Sequence, residues 1–92
     1  MIERRVTVAS PVGLHARPAA MFVRAAAATG ATVTIAKPGK DPVDARSLLA
    51  VMSLDVRHGD EVTLATEGAD AALDELAALL ATNLDAEPAP NA

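Results

Sequence analysis

The residues best equipped for chemistry lie in one short stretch, Gly13-Leu14-His15-Ala16-Arg17-Pro18-Ala19. A histidine supplies a nitrogen lone pair near neutral pH, and an arginine two residues on supplies a fixed cation whose planar fork matches phosphate oxygens. Pro11 and Gly13 mark a tight, irregular loop. Pro18 suits the first turn of a helix, where a missing N–H costs nothing. The pattern places His15 at about the N-cap, next to backbone N–H groups that have no acceptor inside the helix. Those groups and the helix dipole make an anion site. A positive helix end and a nearby guanidinium both disfavour imidazolium, so the His15 pKa is expected to fall from its usual ~6.5. A neutral imidazole beside an anion site is a nucleophile for a phosphoryl group. Taken alone, a histidine at a helix start is more commonly a cap or a surface residue. Arg17, the helix N-terminus and the loop glycine are what point to phosphate.

Other candidates carry less. Ser47 reads first as the N-cap of a short helix, and a phosphate there would be tolerated electrostatically. The glutamate or glutamine of a capping box is missing, because position 50 is Ala50. His58, in Val56-Arg57-His58-Gly59-Asp60, reads as a solvated turn residue. With no cysteine and two histidines far apart, no metal site and no cofactor are expected.

The elements that must position these residues show in the periodicity. Ile2, Val6 and Val8 alternate with polar neighbours as a half-buried strand, although Arg4 breaks the alternation and predicts a ragged start. Val33 and Ile35 give a second strand that runs into the Pro38-Gly39 turn. A short third strand follows around Val43, and Val62 and Leu64 give a fourth after Gly59-Asp60. Ala16 to Ala28, with Ala19, Phe22, Val23 and Ala26 at helical spacing, is a helix ended by Gly30. Ser47 to about Leu54 is a short helix. Asp70 to Leu84 is the clearest one, with Leu73, Leu76, Leu80 and Leu84 as its apolar stripe. The order βαββαβα predicts an α+β open-faced sandwich: a four-stranded antiparallel sheet with three helices on one face and threonines and charges on the other. Residues 1–85 are expected to form the domain, and 86–92 a disordered, proline- and alanine-rich tail.

The 92 residues make one domain, too small for a cofactor domain beside a substrate domain. A net charge of −4 and a single aromatic residue, Phe22, argue against nucleic acid as a partner. The charge is uneven, with seven basic and three acidic residues in 1–46 against one and nine in 47–92. The basic half, which holds His15, Arg17 and Arg24, can still meet a phosphate or an acidic partner. No apolar run approaches the ~20 residues of a membrane span, so a cytoplasmic domain without membrane insertion is expected.

The segment 13–19 resembles the active-site signature of HPr, the histidine-containing phosphocarrier family of the bacterial phosphoenolpyruvate:sugar phosphotransferase system. The segment Ser47-Leu48-Leu49-Ala50-Val51-Met52-Ser53-Leu54 resembles that family's regulatory-serine motif. Both motifs stand at the family's separation, on the family's element order, and the resemblance covers residues 2 to about 84. It implies that His15 accepts a phosphoryl group on Nδ1 from phospho-Enzyme I and passes it to a sugar-specific Enzyme IIA, with Arg17 binding phosphate oxygens. Leu48, Leu49 and Met52 would form an exposed docking patch, bordered by Ala20 and Phe22, with Arg24 facing acidic partner residues. It further implies a stoichiometric carrier rather than an enzyme, a monomer, and weak, fast binding.

Ser47 matches the serine that an HPr kinase/phosphorylase modifies in many low-GC Gram-positive bacteria. Arg46 and Ala50 depart from the lysine and glycine frequent there, and the alanine-rich composition fits a high-GC genome, where that kinase is often missing. The alternatives are an HPr-like carrier of a nitrogen-linked or dihydroxyacetone-kinase system, and a regulatory module that binds partners without histidine chemistry.

Overall fold

The computed structural model describes residues 1–11 and 13–82. Alternating side chains build its sheet from β1 (Ile2–Thr7), β2 (Val33–Ala36), β3 (Val43–Asp44) and β4 (Glu61–Thr66). Helices α1 (Ala16–Ala28), α2 (Leu48–Ser53) and α3 (Asp70–Ala81) complete the predicted βαββαβα order. The strands lie in the order β1-β4-β2-β3, and every neighbouring pair is antiparallel. Val6 faces Val62, Ile35 faces Leu64 and Ile35 faces Val43 across the ladders, so one face of the sheet is apolar. The other face carries Glu3, Arg5, Thr7, Thr34 and Thr63, exposed or half-buried as expected.

The helices cover the apolar face. Phe22 and Ala26 of α1, Val51 of α2, and Leu73, Leu76 and Leu80 of α3 join Val33, Ile35, Val62 and Leu64 in one buried cluster. Phe22 is the largest side chain in it and is fully buried. It is therefore core rather than a border of the expected docking patch. A ring of this size fills the space between helix and sheet that smaller neighbours leave open, in a chain where alanine is common.

Two element boundaries differ from the sequence pattern. Arg4 does not break β1: it sits in register opposite Leu64, half-buried on the helix-covered face. Its apolar stem can pack there because its guanidinium reaches out to Asp74 of α3 (Nε to Oδ1, 3.0 Å) and to the Glu3 carbonyl (3.0 Å). Helix α3 stops at Ala81 instead of Leu84. Thr82 turns extended (φ −96°, ψ 146°), and its hydroxyl donates to the Ala78 carbonyl at 2.8 Å, replacing the next helical turn. Leu84 and the expected tail, 86–92, lie outside the described residues.

The loop out of β1 is bound to the turn before β4. The Val8 N–H donates to the Asp60 carbonyl (2.9 Å), the Gly59 N–H to the Val8 carbonyl (2.9 Å) and the Leu14 N–H to the Val56 carbonyl (2.9 Å). Gly13 sits between these bonds at φ +69°, where a Cβ would fall 2.1 Å from the Val56 oxygen. Gly39 has a similar φ (+87°) but open space around it. Gly39→Ala should therefore cost only the ~1–2 kcal/mol of a left-handed alanine. Gly13→Ala should cost clearly more, because the backbone must part, and thermal denaturation of the two variants measures the difference.

Candidate functional site

Helix α1 begins at the end of that bound loop. Leu14 is fully buried, and Pro18 and Ala19 are buried in the first turn, so the residues on either side of His15 and Arg17 anchor the segment in the core. His15 is the N-cap, with extended backbone (φ −128°, ψ 159°), and its side chain makes no capping hydrogen bond. The ring is 38% exposed. Pro18 has no N–H, and the Ala19 N–H reaches the His15 carbonyl at 3.5 Å. His15, Ala16 and Arg17 thus stand at the N-terminus of α1, where the first backbone N–H groups point out of the helix. Arg17 is exposed at the second helical position. His15 and Arg17 both stand at the start of α1, as its N-cap and its second helical residue.

It also adds a neighbour that the sequence reading missed. Asp55 Oδ1 lies 3.4 Å from His15 Nε2, so the surroundings of the ring are not purely positive. Asp55 follows the C-cap of α2, Leu54, at φ +56°, and its N–H donates to the Met52 carbonyl at 3.1 Å, as in a left-handed helix cap. Its other oxygen, Oδ2, accepts from Arg57 Nη2 at 3.0 Å. That hydrogen bond, with Arg57, Lys37 and His15 nearby, holds the Asp55 carboxyl below the usual aspartate range. An aspartate just past a short helix is a recognisable left-handed cap position. Its approach to a residue 40 positions earlier is tertiary and has no signal in the motif.

A polar chain supports this side of the site. Lys37 Nζ donates to the Asp55 carbonyl at 2.7 Å and pairs with Asp60 Oδ2 at 3.2 Å. The same Asp60 oxygen accepts the Arg57 N–H at 2.9 Å. Ala16, next to His15, also has a positive φ (+50°). Among the described residues, Ala16 and Asp55 are the two non-glycine positions of this kind, and both adjoin the histidine. Each left-handed residue costs roughly 1–2 kcal/mol, which the surrounding bonds must offset.

Of the expected docking residues, Leu49 (80% exposed) and Leu48 (40%) project from α2, which packs against α1. Arg24 is exposed on α1, while Ala20 and Met52 are half-buried. Met21, not singled out in the sequence, is an exposed apolar residue of α1. Helix α2 is only ~9 Å long at 1.5 Å per residue. Asp55, just past the far end of α2, ties that end of the helix to His15. The Ser47 hydroxyl accepts from the Ala50 N–H at 3.3 Å as the N-cap of α2. Arg46 beside it is tied to Asp44 through Nε and Nη2 (3.1 and 3.0 Å). His58 is exposed in its turn. Among the described residues, no group of three histidine, aspartate or glutamate side chains is placed to hold a metal ion, and no helix is long and apolar enough to cross a membrane.

An α+β open-faced sandwich with a histidine at the start of its first helix defines a class, and comparison with known proteins gives its family. The family model "PTS HPr component phosphorylation site" matches residues 2–82. A phosphocarrier protein HPr of Streptomyces coelicolor is 56% identical over 90 residues, covering 96% of this chain and 97% of that protein. The HPr-like protein Crh of Bacillus subtilis is 45% identical over 80 residues, covering 85% and 93%. The crystal structure of an HPr from Bacillus anthracis superimposes with a TM-score of 0.81 at 43% identity, covering 86% and 95%. The chain belongs to the HPr phosphocarrier family of the phosphotransferase system.

The polar chain predicts an acid response. The Arg57 N–H, and after it Lys37, hold the Asp60 carboxyl below its ordinary range. A carboxyl with a depressed pKa in the fold stabilises it fully above the unfolded value near 3.9, and that contribution is lost as the pH falls through the lowered one. The melting temperature should stay level from neutral pH to about 5 and drop below about 4. Asp60→Asn should remove part of that drop, as read by melting curves across the same pH series.

Proposed function

We propose that this protein is a stoichiometric phosphoryl carrier, with His15 as the acceptor and donor. The observation that carries the reading is an exposed N-cap imidazole that makes no cap, placed beside Arg17 and the first N–H groups of α1. In the forward step, the Nδ1 lone pair of His15 attacks the phosphorus of a phosphohistidine on Enzyme I. The donor's N–P bond breaks, and its electron pair returns to the donor ring. A new N–P bond forms on His15, whose other nitrogen keeps its proton. Arg17 and the helix N–H groups stabilise the charge spread over the phosphoryl oxygens during transfer. The reverse chemistry delivers the group to a histidine of Enzyme IIA.

Leu48 and Leu49, with Met52, Ala20 and Arg24, supply the docking surface for both partners. An exposed apolar patch of this size suits weak, short-lived contacts. The working form is a monomer in the cytoplasm. Ser47 is the regulatory position, open to an HPr kinase/phosphorylase. A phosphate there adds ~1.5–2 negative charges beside the leucines, repels acidic partner surfaces and slows transfer. The similarity to Crh, an HPr-like protein, supports a second reading, a regulatory module that only binds. His15 and Arg17 are superfluous to such a module, which favours the carrier.

Incubation with phosphoenolpyruvate and Enzyme I should give one acid-labile phosphate per chain in the wild type and none in His15→Ala. Equal labelling of the two would sink the carrier reading, and no labelling of either would favour the binding module. Arg17→Ala should slow transfer by at least roughly tenfold, a larger effect than its change in melting temperature, because the guanidinium meets the charge that develops on the phosphoryl oxygens.

Leu49→Gln separates docking from chemistry. At 80% exposure its change should alter stability by no more than ~0.5 kcal/mol. It should raise the KM for Enzyme I several-fold while leaving the maximal rate close to wild type. A fall in maximal rate alone would place the docking surface elsewhere.

A further inference from the structure

We infer that Asp55 is a positioning residue for His15: its carboxylate keeps the ring proton on Nε2 and so leaves Nδ1 as the nucleophilic nitrogen. This rests on the reading of His15 as the phosphoryl acceptor. The geometry is specific to one ring nitrogen, with Asp55 Oδ1 3.4 Å from Nε2. The neutral imidazole has two tautomers. With the proton on Nδ1, the Nε2 lone pair would face a carboxylate oxygen, a repulsive arrangement. With the proton on Nε2, an N–H dipole faces the negative charge. The contact needs no ideal hydrogen-bond geometry to favour the second form, because the interaction is between a full charge and a dipole.

The carboxylate is preset rather than recruited. Arg57 Nη2 holds Oδ2 at 3.0 Å, which turns Oδ1 to the histidine. The backbone of Asp55 is held at both ends, by the Met52 carbonyl on its N–H and by Lys37 Nζ on its carbonyl. Asp60 ties Lys37 and the Arg57 backbone into the same unit. The left-handed φ of +56° disfavours most side chains, yet the position carries an aspartate whose carboxylate meets the reactive ring. Once Nδ1 carries a phosphoryl group, the ring holds a positive charge and its Nε2 proton, and the same carboxylate faces that charge.

Long-range 1H–15N NMR of the 15N-labelled chain in mildly alkaline solution reads where each imidazole proton sits, with exposed His58 as the internal reference. The wild type should show His15 in the Nε2–H form. In Asp55→Gly, which suits the left-handed backbone, the two His15 nitrogen signals should move toward each other while those of His58 stay in place. Transfer from Enzyme I should fall measurably, and by less than in Arg17→Ala. Asp55→Asn, with the same shape and no charge, should show a smaller shift in the same direction. A role in structure alone would lower the melting temperature and leave the His15 signals unmoved, and unmoved signals in folded Asp55→Asn overturn the inference even if the glycine variant fails to fold. If the wild type takes up no phosphate at all, the carrier reading fails, while the NMR comparison still decides what Asp55 does to the ring.

Discussion

Where residues 8–11 and 13–14 leave the first strand they lie directly against residues 56–60, and backbone hydrogen bonds close the contact: Val8 with Asp60 and Gly59, and Leu14 with Val56. The approach is so close that position 13 has no room for a side chain. Everything functional hangs on this contact. It sets where α1 starts, hence where its N–H groups point, and it brings the end of α2 to the histidine. The hydrophobic core supplies the stability of the domain, but Leu14 and Val56, both fully buried, are the places where that core grips the site.

The site itself is a compromise between charges and backbone strain. A helix N-terminus and an arginine stand at the start of α1, while a carboxylate lies against Nε2 of the histidine there. Two left-handed residues, Ala16 and Asp55, bracket the histidine at an energetic cost that the core and the Lys37–Asp60 connection offset.

The sheet, the three helices and the placement of His15 and Arg17 at the start of α1 were legible in the sequence because each rests on a local pattern. Val33 and Ile35 alternate, the leucines of α3 repeat at helical spacing, and Pro18 and Ser47 punctuate helix starts. What escaped was decided at a distance. Arg4 looks like a fault in β1 until Asp74 is seen across from it. Phe22 looks available for docking until the sheet covers it. Leu84 continues the leucine spacing, but the Thr82 hydroxyl ends the helix before it. Asp55 reads as a loop residue, and only the docking of residues 8–11 and 13–14 on the turn reveals its partner.

The strand pairing carries a consequence for how the molecule comes into being. The first strand has β4 as its neighbour in the ladder, with Ile2 opposite Thr66 and Thr7 opposite Glu61, so the amino-terminal residues wait for a partner more than fifty positions away. Contacts of such long sequence separation form late and slow the search for the native state. During synthesis the histidine is therefore made well before the turn that positions it. A nascent chain that ends before β4 has the residues of the motif without the arrangement that makes them a site. The surroundings of His15 are complete only once β4 and the turn before it have joined the sheet.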